Sequence, residues 1–216
     1  MTIRPSDDPT IKPTTATKKL LLWDIDGTLV HTGKAGEFAI GVALKRKFGK
    51  TGAIDQVDFR GRTDRRICHQ LLEFHGVEPT QEAVEEMVQA YLDALKEELP
   101  NRQGLVFPGI LEILEVSHER DDLVNALLTG NAKRGAELKL SYYHIWNYFE
   151  FGAFADDSSD RNELGPVALE RAKDTLNLSF EGKDVLVIGD TPHDIACGNV
   201  IGAQTVAVAT GGYSYE

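Results

Sequence analysis

The 216-residue chain has a formal net charge of −11 and 42% hydrophobic residues, enough apolar material for one domain with a large insertion or for two modest domains. The acidic balance argues against nucleic-acid binding, which needs a basic face, and gives no reason to expect an anionic membrane as partner. Cys68 and Cys197 stand far apart without metal-ligand spacing and read as reduced thiols rather than a disulfide.

Residues 1–17 carry Pro5, Pro9 and Pro13 among threonines and charged residues. They read as a loose arm with no signal peptide or membrane span, so a cytoplasmic location is expected. Leu20 to Val30 follows as an apolar run that breaks into Asp24-Ile25-Asp26-Gly27-Thr28. Such a run, bounded by turn residues, suits a strand of a parallel sheet buried on both faces, and sites of open α/β sheets lie beyond the carboxyl ends of their strands. Two carboxylates at i and i+2 cannot both ionise side by side without a cation or a shared proton. Gly27 allows a positive φ, and Thr28 is expected to hydrogen-bond back into the turn.

A glycine-bearing linker, His31 to Gly36, leads into apolar residues at helical spacing: Phe38, Ala39, Val42, Ala43, Leu44 and Phe48. A second helix is expected over Ile67, Leu71, Leu72 and Phe74, ending at Gly76, and a third is capped by Thr80. The stripe of that third helix is Val84, Met87, Val88, Tyr91, Leu92, Leu95 and Leu99, read as core face only. Ahead of the second helix, Arg60, Arg62, Arg65 and Arg66 crowd a short stretch of an otherwise acidic chain. That stretch is either an anion-facing loop or a solvated helix start.

Pro108-Gly109 opens a helix with Ile110, Leu111, Ile113, Leu114 and Val116 expected inward, and Leu123 to Leu128 is a second core strand. It ends in Thr129-Gly130-Asn131, where a hydroxyl and free N–H groups before the helix Ala132–Tyr143 can hold a phosphate oxygen. Phe149 to Ala155 reads as a third strand, followed by Asp156-Asp157 and then by Arg161-Asn162-Glu163-Leu164. The fourth strand, Asp184 to Gly189, runs into Asp190-Thr191-Pro192-His193-Asp194. Asp190 and Asp194, one helical turn apart, can point oxygen ligands at one hard cation, and His193 between them reads as a loop residue because such a cation prefers oxygen. Thr205 to Val208 is a last strand before Gly211-Gly212.

Asp-x-Asp-Gly-Thr after an apolar strand, Thr-Gly-Asn after the second and Gly-Asp-x-x-x-Asp after the fourth resemble the haloacid dehalogenase superfamily, over most of the chain. The run Gly61 to Ile67 is similar to the cap loop of its phosphoglycolate phosphatase-like members. The resemblance implies a doubly wound parallel sheet of Rossmann-like topology, with a helical cap inserted after the first strand. The expected division is a core of residues 18–31 and 106–216 and a cap of residues 32–105. It further implies a magnesium-dependent phosphatase acting on a small phosphorylated metabolite. Asp24 would be the nucleophile and Asp26 the general acid/base. Thr129, with Gly130 and Asn131, would bind phosphate, and Arg62 would meet the substrate from the cap. Mg2+ would be held by Asp24, the Asp26 backbone carbonyl, Asp190 and Asp194. The family usually places a lysine, often before a proline, ahead of the next helix; here Arg161 takes that place, its guanidinium offering fixed charge and bidentate phosphate contacts. A phosphomutase shares every core residue, a dehalogenase needs neither Asp26 nor the metal pair, and a non-catalytic phosphate-binding protein needs none of the four carboxylates. Oligomeric state is not legible.

Overall fold

The computed structural model describes residues 18–214, so the arm expected over residues 1–17 lies outside the described residues. In chain order the elements are β1 (Lys19–Trp23), β2 (Val30–His31), α1 (Ala35–Phe48), α2 (Asp64–Phe74), α3 (Gln81–Glu98), β3 (Leu105–Val106) and α4 (Ile110–His118). There follow β4 (Leu123–Leu128), α5 (Lys133–Tyr142), β5 (Gly152–Ala153), α6 (Leu164–Leu176), β6 (Val185–Gly189), α7 (Pro192–Val200) and β7 (Gln204–Ala207). Among the described residues no helix is long and apolar enough to cross a membrane.

The fold is the expected doubly wound α/β sheet. Five strands pair in parallel in the order β5-β4-β1-β6-β7. β1 is central because its side chains are apolar on both faces: Leu20 and Leu22 pack with Val187, Ala168 and Cys197, while Trp23 joins Leu114, Ala136 and Leu140. The chain passes from β1 to β4 on one side and later crosses to β6 on the other. The switch in direction therefore falls at the end of β1, where the strand ends diverge and leave a crevice.

Between β1 and its return to the sheet, α1, α2 and α3 bury their stripes against one another in a separate core that includes Leu44, Leu71, Met87, Tyr91 and Leu95. The two connections to this helical unit pair antiparallel as β2 and β3. The unit is also fixed to the sheet by a direct junction. Asp64 N–H donates to the Gly130 carbonyl (2.7 Å), the Asp64 carboxylate accepts from the Ala132 N–H (2.8 Å), and the Thr63 hydroxyl donates to the Ser159 carbonyl (2.9 Å). Gly130 is required there, since a Cβ would collide with the Arg62 carbonyl.

Two elements differ from expectation. In α4 only Leu114 and Ser117 are buried, and Leu111, Ile113 and Val116 are exposed. The apolar residues of α4 spread too widely round the helix for all to face one sheet; the buried side lies opposite Glu112 and Glu115, and there Asn125, inside β4, donates to the Ser117 hydroxyl (2.8 Å) and accepts from the Trp23 indole (3.0 Å). β5 is only two residues long, although backbone hydrogen bonds link residues 150–155 to the β4 side. As an edge strand it has a partner on one side only.

Burial pushes the Asp64 carboxyl up to about 6. A raised pKa means that folding favours the neutral acid, so this stabilisation is complete below the ordinary value of 3.8 and is lost as pH rises through about 6. Asp64→Asn removes the titration. Urea unfolding of wild type and variant from about pH 4 to about pH 6.5 should show the variant gaining relative to wild type as pH rises; parallel curves would place the shift elsewhere.

Candidate active site

The site starts where β1 ends. The Asp24 N–H donates to the Ile188 carbonyl (2.9 Å), extending the β1–β6 ladder, and Gly27, at φ 84°, turns the chain back so that its N–H reaches the Val30 carbonyl (3.0 Å). This turn leaves Asp24 buried and Asp26 half-exposed on the same side. The Thr28 hydroxyl does not close the turn as expected. It is buried without a hydrogen-bond partner among the described residues, and the turn is held by backbone N–H groups of residues 28–30 donating to the Ile25 carbonyl.

Asp190 ends β6, and Asp194 lies in the first turn of α7. Asp194 Oδ2 accepts from the Thr191 N–H (2.9 Å) and hydroxyl (2.8 Å), forming the capping box of that helix. Its Oδ1 meets Arg161 Nη2, which also donates to Asp24 Oδ1 at 2.8 Å. The guanidinium, buried to 7% exposure, thus joins the strand-end aspartate to the helix-start aspartate. His193, expected in a loop, lies in α7 and packs beneath Gly61; burial, with the Arg62 and Arg161 charges, lowers its pKa.

Burial raises Asp24 to about 7 despite the neighbouring Arg161 charge, and burial followed by the Asp194 charge raises Asp190 to about 6. Asp24 and Asp194 in turn raise the pKa of Arg161 against its own desolvation. Carboxylate oxygens of Asp24, Asp190 and Asp194 lie within 4.8 Å of one another. One guanidinium among three such carboxylates leaves an excess of negative charge, and Asp190 Oδ1 is buried with no hydrogen-bond partner among the described residues. An all-oxygen set with an unsatisfied buried acceptor fits a hard divalent cation. The backbone leaves Asp190 little freedom to move, because a Cβ on Gly27 or on Gly211 would collide with its carboxylate.

Above these groups is a cavity of about 320 Å³. The core contributes Asp24, Asp26, Gly130, Asn131, Arg161 and Asp190 to its lining, and Arg60 and Arg62 face it from the helical unit. The arginine cluster is therefore divided: Arg65 pairs with Glu85 (3.0 Å) on the helical unit's own surface. Thr129 is fully buried behind the lining, its hydroxyl accepting from the Asn131 side chain (2.9 Å) and N–H (3.3 Å). The segment after β7 closes one side, where Thr210 Oγ1 donates to the Gly27 carbonyl (2.5 Å) and Arg60 stacks over Tyr213.

Sequence reasoning missed Lys139 and Tyr91, which both line the cavity. Lys139 lies on the buried stripe of α5 with Ala136 and Leu140, and Tyr91 on that of α3. A charge on an otherwise apolar helix face was the available signal for Lys139; for Tyr91 there was none.

A family model described as haloacid dehalogenase-like hydrolase matches residues 21–199. "Probable phosphatase IndB" of Dickeya dadantii is 27% identical over 201 residues, covering 90% of this chain and 82% of that protein. "Pyrophosphatase PpaX" of Halalkalibacterium halodurans is 28% identical over 193 residues, covering 87% and 82%. Among solved structures, a hydrolase from Pseudomonas syringae aligns with TM-score 0.70 at 24% identity, covering 92% of this chain and 88% of that one. CbbY from Rhodobacter sphaeroides, in complex with phosphate, aligns with TM-score 0.72 at 13% identity, covering 91% and 88%. These two structures share the fold.

Arg161→Met would leave three buried carboxylates without their counter-charge. Breaking a buried pair in this way costs about 3–5 kcal/mol, to be read from denaturant unfolding in metal-free buffer. Adding a divalent cation should restore more stability to the variant than to wild type, because only there does it supply the missing charge; equal gains would separate Arg161 from the carboxylate cluster.

Proposed function

The chain belongs to the haloacid dehalogenase-like hydrolases, and on that premise we propose that it is a magnesium-dependent phosphatase that hydrolyses a small phosphorylated metabolite in the cytoplasm. The observation that carries this reading is the meeting of Asp24, Asp26, Asp190 and Arg161 at the floor of one cavity, with Asp194 behind them on Arg161, all from three separate segments. The relatives named as phosphatases support it.

Asp24 is the nucleophile. It attacks phosphorus as the ester bond breaks, and Asp26 gives its proton to the leaving oxygen; water then attacks the aspartyl-phosphate, losing a proton to Asp26 and releasing Asp24. Arg161 orients Asp24 and meets the equatorial oxygens of the transferring group, with the N–H groups of the loop after β4. Asp24, Asp190, Asp194 and the Asp26 backbone carbonyl would hold Mg2+. When bound, the cation offsets the charge of Asp24 and phosphate so that two anions can approach. The unit of residues 32–105 acts as a cap that excludes bulk water, and Arg62 meets the non-reacting part of the substrate. An anionic leaving group suits Arg60 and Arg62, so pyrophosphate belongs in the substrate panel beside carboxylated esters.

Purified Asp24→Asn should fold and release no phosphate, and wild type stripped by chelation should regain activity with magnesium. Full activity after exhaustive chelation would remove the metal from the mechanism. Asp26→Asn should lose about 10²–10⁴-fold on alkyl phosphates and far less on esters with good leaving groups. Arg62→Ala should raise KM for anionic substrates and spare a neutral aryl phosphate; a loss independent of substrate charge would make Arg62 structural. Assays with sugar phosphates should yield inorganic phosphate, whereas an isomerised product would identify a mutase.

A further inference from the structure

Lys139 lines the cavity as a buried cation, unlike the exposed Lys34 at its rim, and has no role above. Its side chain is 5% exposed, and its Nζ donates to Asp26 Oδ2 (2.6 Å) and to Asn131 Oδ1 (2.6 Å). Asn131 closes the triangle, its Nδ2 donating to the same Asp26 Oδ2 (2.9 Å) and to Thr129 Oγ1 (2.9 Å). All of these bonds to Asp26 fall on Oδ2, and Oδ1 carries none among the described residues. Asp26, whose side chain is 42% exposed, thus has one oxygen fastened and the other free for the cavity.

A buried ammonium is costly unless paired, and Lys139 is held on a helix of the core rather than on a flexible loop. A carboxyl rotates freely about its last bond; two donors on one oxygen remove that freedom. The same donors tie the segment after β1, which carries the acid/base, to the loop after β4, which faces the phosphate.

The geometry points to Lys139 as a positioning residue that locks the Asp26 carboxyl in the rotamer presenting Oδ1 to the leaving oxygen, and couples it to Asn131 and Thr129. The inference rests on the acid/base reading of Asp26. Proton transfer needs a placed donor, so without Lys139 the acid is present but misdirected. The substrate itself need not touch Lys139.

The test compares Lys139→Met, Asp26→Asn and the double variant on a series of phosphate esters from nitrophenyl to alkyl leaving groups. Lys139→Met should lower kcat on alkyl phosphates by about 10–100-fold, a part of what general acid catalysis supplies. It should change KM little and stay near wild type on the nitrophenyl ester, whose leaving group needs no proton. In the Asp26→Asn background it should cost nothing further, since it acts through Asp26. An equal loss on every ester, a loss confined to KM, or an undiminished loss in that background would overturn the proposal. If Asp26→Asn itself shows no dependence on leaving group, it is the acid/base reading that fails. Should Lys139→Met not fold, Lys139→Gln, of similar length and uncharged, is read by the same criteria. Should that also fail, Lys139→Arg, which keeps the charge but cannot place one nitrogen between Asp26 Oδ2 and Asn131 Oδ1, must show the same selectivity for poor leaving groups, and its absence overturns the proposal.

Discussion

The guanidinium of Arg161 holds two carboxylates together at the end of the sheet, and the rest of the site is arranged around that ion pairing. Asp24 and Asp194 come from different segments, both buried, and each carries a charge the protein interior would otherwise expel. With Arg161 between them, β1, α7 and the segment ahead of α6 are drawn to one point, and Asp190 is left with an oxygen that no donor among the described residues satisfies. Positive charge built into the fold stabilises the cluster only in part, which is the condition for a cation to bind there and matter.

A second consequence concerns rigidity. Asp194 is tied to the helix cap through Thr191, Asp190 is confined by the backbone at Gly27 and Gly211, and Asp24 is tied to the backbone of β6. Close approach of these segments depends on glycines, because a Cβ would occupy the space of the carboxylate it faces. The site is accordingly built from strand ends and helix starts, whose positions the sheet determines, rather than from loop side chains that would each need separate ordering.

The helical unit contributes in the opposite sense. Its core reaches the sheet unit only at its margin, where Ala132 and Leu138 join it, and besides the β2–β3 pairing it is attached by polar contacts around Asp64 and Thr63 and by Arg134 of α5, which pairs with Asp93. Burial of the Asp64 carboxyl at that attachment raises its pKa, so the junction is sensitive to pH.

Much of this was legible in the residues alone. Asp24, Asp26, Asp190 and Asp194 announce themselves because a carboxylate directly after a strand of Leu, Val and Ile has no packing reason to be there, and β1, β4 and β6 read correctly because their apolar runs are bounded by turn residues. Arg161 was found by its place in chain order rather than by any local pattern. The tertiary structure alone decided which faces were buried. The apolar residues of α4 spread over more than one face, and only in the folded chain does the side of Leu114 and Ser117, paired with Asn125, emerge as the inner one. Lys139 and Asp64 lie on helical stripes where sequence suggests packing, yet each meets a partner from a segment distant in the chain: Asp26 for Lys139 and the Ala132 N–H for Asp64. Local periodicity specifies that a side chain points inward; what it meets there depends on the packing of the other elements, and for a charged group that partner determines its chemistry.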